Sequence, residues 1–108
     1  MKRIDPNNFD DLGKADYFLR RGMSSAQERR YDLAVADLSQ AIELKPGLST
    51  PYIVRAIVYS QAGRPDLGEN DLVRAEAINP YHPWVIEINR PGGAITSFQI
   101  PEGWWNTP

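Results

Sequence analysis

Two stretches of this chain are copies of one another. Tyr31–Pro46 reads YDLAVADLSQAIELKP, and Pro65–Pro80 reads PDLGENDLVRAEAINP. From proline to proline the offset is 34 residues. Laying Ala15–Pro46 over Ser49–Pro80 gives nine identities: Arg21/Arg55, Gln27/Gln61, Arg30/Arg64, Asp32/Asp66, Leu33/Leu67, Asp37/Asp71, Leu38/Leu72, Ala41/Ala75 and Pro46/Pro80. Chance at ordinary residue frequencies gives roughly two. A period of this length is one helix–turn–helix unit, which cannot bury its apolar face alone and stacks on its neighbour.

The pattern divides the chain into a lead-in (1–14), two repeats (15–46 and 49–80) and a C-terminal segment (81–108). Asp10 or Asp11 suits the N-cap of a first helix running to about Glu28. In that helix Leu12, Ala15, Phe18, Leu19, Gly22, Met23 and Ala26 recur at three- and four-residue spacing. Gly22 falls where a partner helix would approach closely; Gly13 has no such reason, and the helix could begin after it. A second helix is expected at Tyr31–Leu44, with Leu33, Ala34, Leu38, Ala41 and Ile42 inward and Asp32, Asp37, Gln40 and Glu43 outward. Pro46-Gly47 stops it. A third helix, about Thr50–Ala62, is apolar on nearly every side, which implies burial on more than one face. Gly63 suits its C-terminal cap. A fourth runs about Pro65–Ile78.

After Pro80 the composition turns aromatic and β-branched, and Arg90-Pro91-Gly92-Gly93 is a turn signal. Two readings stay open. One is a hairpin of Trp84–Asn89 with Ala94–Ile100. The other, which we favour, is a short helix at about Pro83–Asn89 or irregular structure, then an extended tail. Two repeats are few for a stack, and the missing apolar cover must come from residues 81–108 or from another chain. Trp84, Phe98, Trp104 and Trp105 are the expected anchors of that cover.

Bulk properties exclude several classes. A net charge of −2 and a pI near 5.3 leave no basic footprint for nucleic acid. With no cysteine, disulfides and zinc–thiolate sites are ruled out. No stretch reaches the eighteen or so apolar residues of a membrane span. Met1-Lys2-Arg3 is followed by polar residues rather than the apolar run of a signal peptide, so a cytoplasmic location is expected.

The unit resembles the tetratricopeptide repeat. The first copy supplies Phe18, Gly22, Ala34, Leu38, Ala41 and Pro46 at the family's positions; the second supplies Tyr52, Ala56, Tyr59, Gly68, Leu72, Ala75 and Pro80. Arg21 and Arg55 stand where the family has Leu, and Ser25 where it has an aromatic. The resemblance implies an all-α stack of two helical hairpins. It also implies a concave groove lined by the first helix of each pair, receiving an extended peptide. Carried over by position, that groove comprises Leu19, Arg20, Met23, Gln27, Ile53, Val54, Ile57 and Gln61. Family members that grip a C-terminal carboxylate use Lys and Asn there; Leu19, Met23 and Val54 replace them, so the groove reads as apolar with a polar edge.

These features imply a protein–protein interaction module, an adaptor, chaperone-like protein or assembly factor, binding an apolar segment of its partner. Replacing Ile57 by Glu is then expected to abolish binding. The alternative is a self-associating protein whose tail completes its own or a neighbour's stack. No catalytic constellation is present: Ser24-Ser25 has no accompanying base, and Gly92-Gly93 lacks the context of a phosphate loop. His82 is the only histidine, without the companions of a metal site, and no cofactor is expected.

Overall fold

The computed structural model describes residues 11–89. Among these, all regular structure is helical: α1 (Asp11–Gln27), α2 (Tyr31–Leu44), α3 (Ser49–Gln61), α4 (Pro65–Ile78) and α5 (Pro83–Asn89). α1 and α2 pack as one antiparallel hairpin and α3 and α4 as a second, with α2 against α3 joining them. The hairpin reading of 84–100 is corrected in its first half, since Trp84–Asn89 is helix; its second half lies outside the described residues.

Local chemistry sets the helix ends. Pro65 opens α4 in the first turn, where its missing N–H has no intrahelical partner to lose. α1 begins at Asp11 and runs through Gly13, so that glycine does not delay the start. Pro46 and Gly47 follow α2, whose last cap bond is Lys45 N–H to the Ala41 carbonyl at 3.0 Å.

The core follows the small-residue positions. Ala34, Leu38 and Ala41 of α2 are fully buried, as are Ile53, Val54, Ala56, Ile57 and Val58 of α3 and Ala75 of α4. The all-round apolar sequence of α3 thus reflects its place between the two hairpins. Gly22 is where α1 meets α2: a Cβ there would lie 2.9 Å from Leu38 Cγ and 3.2 Å from the Ala34 carbonyl oxygen. Two inward–outward assignments on α2 reverse. Leu33 is 53% exposed, because Ala34 and Leu38 already fill the α1 contact. Asp37, expected in solvent, is buried by a partner described below.

The stack ends on polar residues. On α2 the face toward α3 carries Val35, Ser39 and Ile42, the two apolar ones packed on the core. One repeat later the same positions are Glu69, Val73 and Glu76, all exposed. α5 packs on α4 and contributes Trp84 and Val85 to the core. At an offset of 34, Ile86 follows Phe18 and Tyr52, yet Ile86 is 54% exposed. α5 nevertheless starts at Pro83, 34 residues after α3 starts at Ser49, and buries Val85 at the position of the buried Pro51, so its start keeps the register of the repeat.

Gly22→Ala should destabilise the fold by about 1–3 kcal/mol. This is expected even though alanine favours a helix over glycine by roughly 1 kcal/mol. Thermal unfolding of the two proteins measures it, and an unchanged or higher Tm would mean that α1 and α2 can separate at no cost.

Candidate functional site

Within each repeat the strongest polar contact is an arginine–aspartate fork sixteen residues apart. Arg55 Nε and Nη2 on α3 donate to Asp71 Oδ2 and Oδ1 on α4, both at 2.7 Å. Arg21 on α1 does the same to Asp37 on α2, at 2.8 Å. Each guanidinium pKa is raised, first by its hydrogen bonds to the carboxylate and against the opposing effect of desolvation. These are the arginines that stand where the family pattern has leucine. Their remaining donors differ. Arg55 Nη1 crosses to Ser39 Oγ on α2 at 3.0 Å and so ties the two repeats. Arg21 Nη1 turns to its own helix, donating to the Tyr17 hydroxyl at 3.0 Å, with its guanidinium 5.2 Å and 5.4 Å from the Tyr17 and Phe18 ring centres. Asp37, expected outward, and its repeat equivalent Asp71 are both buried. The signal that reveals them is the repetition of both arginine and aspartate at one internal spacing.

The residues expected to line a groove divide sharply. Ile53, Val54 and Ile57 have no exposed surface, Met23 is 6% exposed and Leu19 packs against the same core. They are structural, and a partner meeting this fold as it stands cannot touch the three α3 residues. Arg20, Gln27 and Gln61 are exposed. Arg20 pairs with Asp16 at 2.9 Å across one helical turn. Of the expected tail anchors, Trp84 is buried; Phe98, Trp104 and Trp105 lie outside the described residues.

Among the described residues, an open surface lies at the C-terminal ends of α1 and α3. Both helices close with the same pair of bonds. Arg29 N–H donates to the Ala26 carbonyl and Arg30 N–H to that of Ser25; Gly63 N–H and Arg64 N–H donate to the Ser60 and Tyr59 carbonyls. This closure puts one residue in the left-handed region, where glycine is the natural occupant. In the second repeat that residue is Gly63, at φ +85°. In the first it is Arg29, at φ +62°. A side chain in this conformation costs roughly 1 kcal/mol.

Two open depressions of about 430 Å³ each meet at Arg29 and Tyr31. One is completed by Ala26, Gln27 and Gln61, the other by Arg30, Asp32, Leu33 and Ala62. Gln27 and Gln61 are repeat-equivalent, yet the packing brings them to the same depression. Neither amide has a side-chain hydrogen bond among the described residues, and Arg29 has no ion pair among them. Arg30 and Arg64 are 3.8 Å and 3.7 Å from Glu28 and Asp66. The first depression therefore offers a guanidinium and two amides, groups suited to peptide carbonyls and carboxylates. No cluster of His, Cys, Asp or Glu among the described residues could hold a metal ion. No described helix is long and apolar enough to cross a membrane.

No protein-family profile, curated protein sequence or solved structure matches this chain.

Three replacements grade these interior residues by burial. Ile57→Glu should prevent folding, since it buries an unpaired charge; a cooperative melt and native helicity by circular dichroism would overturn that. Arg55→Met should cost about 3–5 kcal/mol in urea denaturation by stranding Asp71, and adding Asp71→Leu should recover most of it. Arg21→Met should cost distinctly less, because 52% of the Arg21 side chain is in water against 19% of that of Arg55.

Proposed function

We propose that this chain is a cytoplasmic protein–protein interaction module of the tetratricopeptide type. It holds an extended partner segment across the C-terminal ends of α1 and α3. One observation carries the reading: Gln27 and Gln61, the same position in two repeats, converge with Arg29 on one open depression. Seven of the nine repeat identities have work to do inside the structure or at a helix end. Arg21/Arg55 and Asp37/Asp71 make the forks, Leu38/Leu72 and Ala41/Ala75 fill the core. Asp32/Asp66 lie in first helical turns, Arg30/Arg64 close the preceding helices, and Pro46/Pro80 follow the helix ends. Gln27/Gln61 have no such task, which suits a surface kept for a partner. The segment fitting this surface carries an acidic side chain for Arg29 beside backbone carbonyls for the two amides. The apolar residues of the expected groove then serve as the floor that fixes the rim, and Arg20 extends the rim along α1.

A second reading is self-association. Val73, Tyr81 and Ile86, on α4, the following turn and α5, are 63%, 82% and 54% exposed. A mass that rises with concentration in light scattering and falls after Val73→Glu with Ile86→Glu would favour it.

Arg29 tests the first reading. Arg29→Gly should raise stability by roughly 1 kcal/mol, since glycine adopts the left-handed conformation without strain. The same variant should weaken binding at least tenfold for peptides selected on the full chain from a random displayed library. Selected peptides should also shift the side-chain amide NMR signals of Gln27 and Gln61. Undiminished binding by Arg29→Gly, or no peptide enriched above a control helical protein, would overturn the assignment.

A further inference from the structure

His82 stands between the start of α3 and the start of α5, at a point the interaction surface does not involve. Its ring is half-buried and makes two side-chain hydrogen bonds. The backbone N–H of Trp84 lies 3.1 Å from Nδ1. A backbone N–H can only donate, so Nδ1 must present its lone pair. The ring proton of the neutral form is therefore on Nε2, which donates to Thr50 Oγ1 at 3.1 Å in the first turn of α3. His82 thus caps α5 at the place a serine or asparagine would occupy, while holding on to α3. Its carbonyl also accepts the Ile86 N–H at 3.0 Å, and its ring meets Trp84 edge-on, centres 5.6 Å apart.

A second proton changes every part of this. It must go on Nδ1, which would then point an N–H at the Trp84 N–H. The cap acceptor is lost, and a charge is placed in a half-buried position beside Trp84, which is 7% exposed. Among the described residues, the ring's hydrogen-bond and ring-contact partners are Thr50 from α3 and Trp84 from α5, and neither is an anion.

We propose that His82 is a protonation latch: neutral, it pins the start of α5 to the first turn of α3; protonated, it releases α5 and uncovers Trp84 and Val85. The direction of titration agrees. Burial lowers the His82 pKa below its ordinary value of 6.5, and no charge–charge contribution offsets it. The closed form is thus fully favoured above about pH 6.5 and lost as the pH falls through the lower, closed-state pKa. Within that window each pH unit shifts the closed-to-open ratio by up to about tenfold. Mild acidification is the signal that such a latch reads.

The test is an NMR titration of the full chain from pH 7.5 to pH 5, alongside His82→Asn. Asparagine can still cap α5 through its side-chain oxygen but does not titrate in this range. In the wild type, the helical Cα shifts of Trp84 and Ile86 should collapse together with the contact between the His82 ring and the Thr50 methyl. Both should share the midpoint of the ring's own titration, below 6.5. In His82→Asn the α5 shifts should stay flat. The latch is overturned if the ring titrates while α5 stays helical, if its midpoint is 6.5 or higher, or if it is still neutral at pH 5. An equal loss of α5 in His82→Asn would also overturn it, since carboxylates would then be responsible.

Discussion

The arginine–aspartate fork is the contact on which the arrangement of helices depends. A leucine at position 21 or 55 would fill space between the paired helices but could slide along the partner's apolar surface. A planar guanidinium held by both oxygens of one carboxylate cannot slide without breaking two charge-assisted bonds. Burial makes this constraint sharp, because Asp71 is 3% exposed and has no water to fall back on. A buried ion pair adds little net stability over well-packed apolar residues. Its contribution here is alignment: one fork per hairpin fixes the rotation of α1 on α2 and of α3 on α4. The spare donor of Arg55 carries that alignment into the preceding repeat through Ser39.

Both outer faces of the described pair of hairpins carry polar replacements within the repeat. Val35 and Ile42, which pack between the hairpins, become Glu69 and Glu76 on α4. At the other end Val58 and Tyr59 of α3 correspond to Ser24 and Ser25 of α1, and Arg21 lays its guanidinium over Tyr17 and Phe18. Stacked repeats need such terminal units to stay in solution. α5 then adds cover with Trp84 and Val85, and His82 accepts a hydrogen bond from the Trp84 N–H at its start.

The sequence made legible whatever depends on periodicity. The bounds of α2 and α4, the close approach at Gly22 and the glycine closure at Gly63 all follow from spacing and residue type. Spacing could not say which side of a helix faces solvent when two apolar neighbours compete, as Leu33 and Ala34 do. Nor could charge alone, because Asp37 and Asp32 look alike until the arginine sixteen residues earlier is counted. The three α3 residues of the expected groove were misplaced for a third reason. Position in the repeat names the helix face, but how deeply that face is buried depends on what packs over it, and Ile53, Val54 and Ile57 sit in the middle of the core.

Arg29 was the least legible residue, since nothing in sequence marks a left-handed backbone at an arginine. Comparison of the repeats gives it meaning. The helix closure is the same in both, bond for bond, and glycine fills it at no cost in the second. A lysine, glutamate or serine at position 29 would be strained to the same degree, so the strain does not explain the side chain. What distinguishes arginine there is its reach: it lines both depressions, and in one of them it is, among the described residues, the sole charged group, beside two amides with no side-chain hydrogen bond among them. Strain of this kind persists where a residue is kept for something other than the fold. The fold itself, with its forks, its buried α3 and its polar ends, would be as well formed with glycine at that turn.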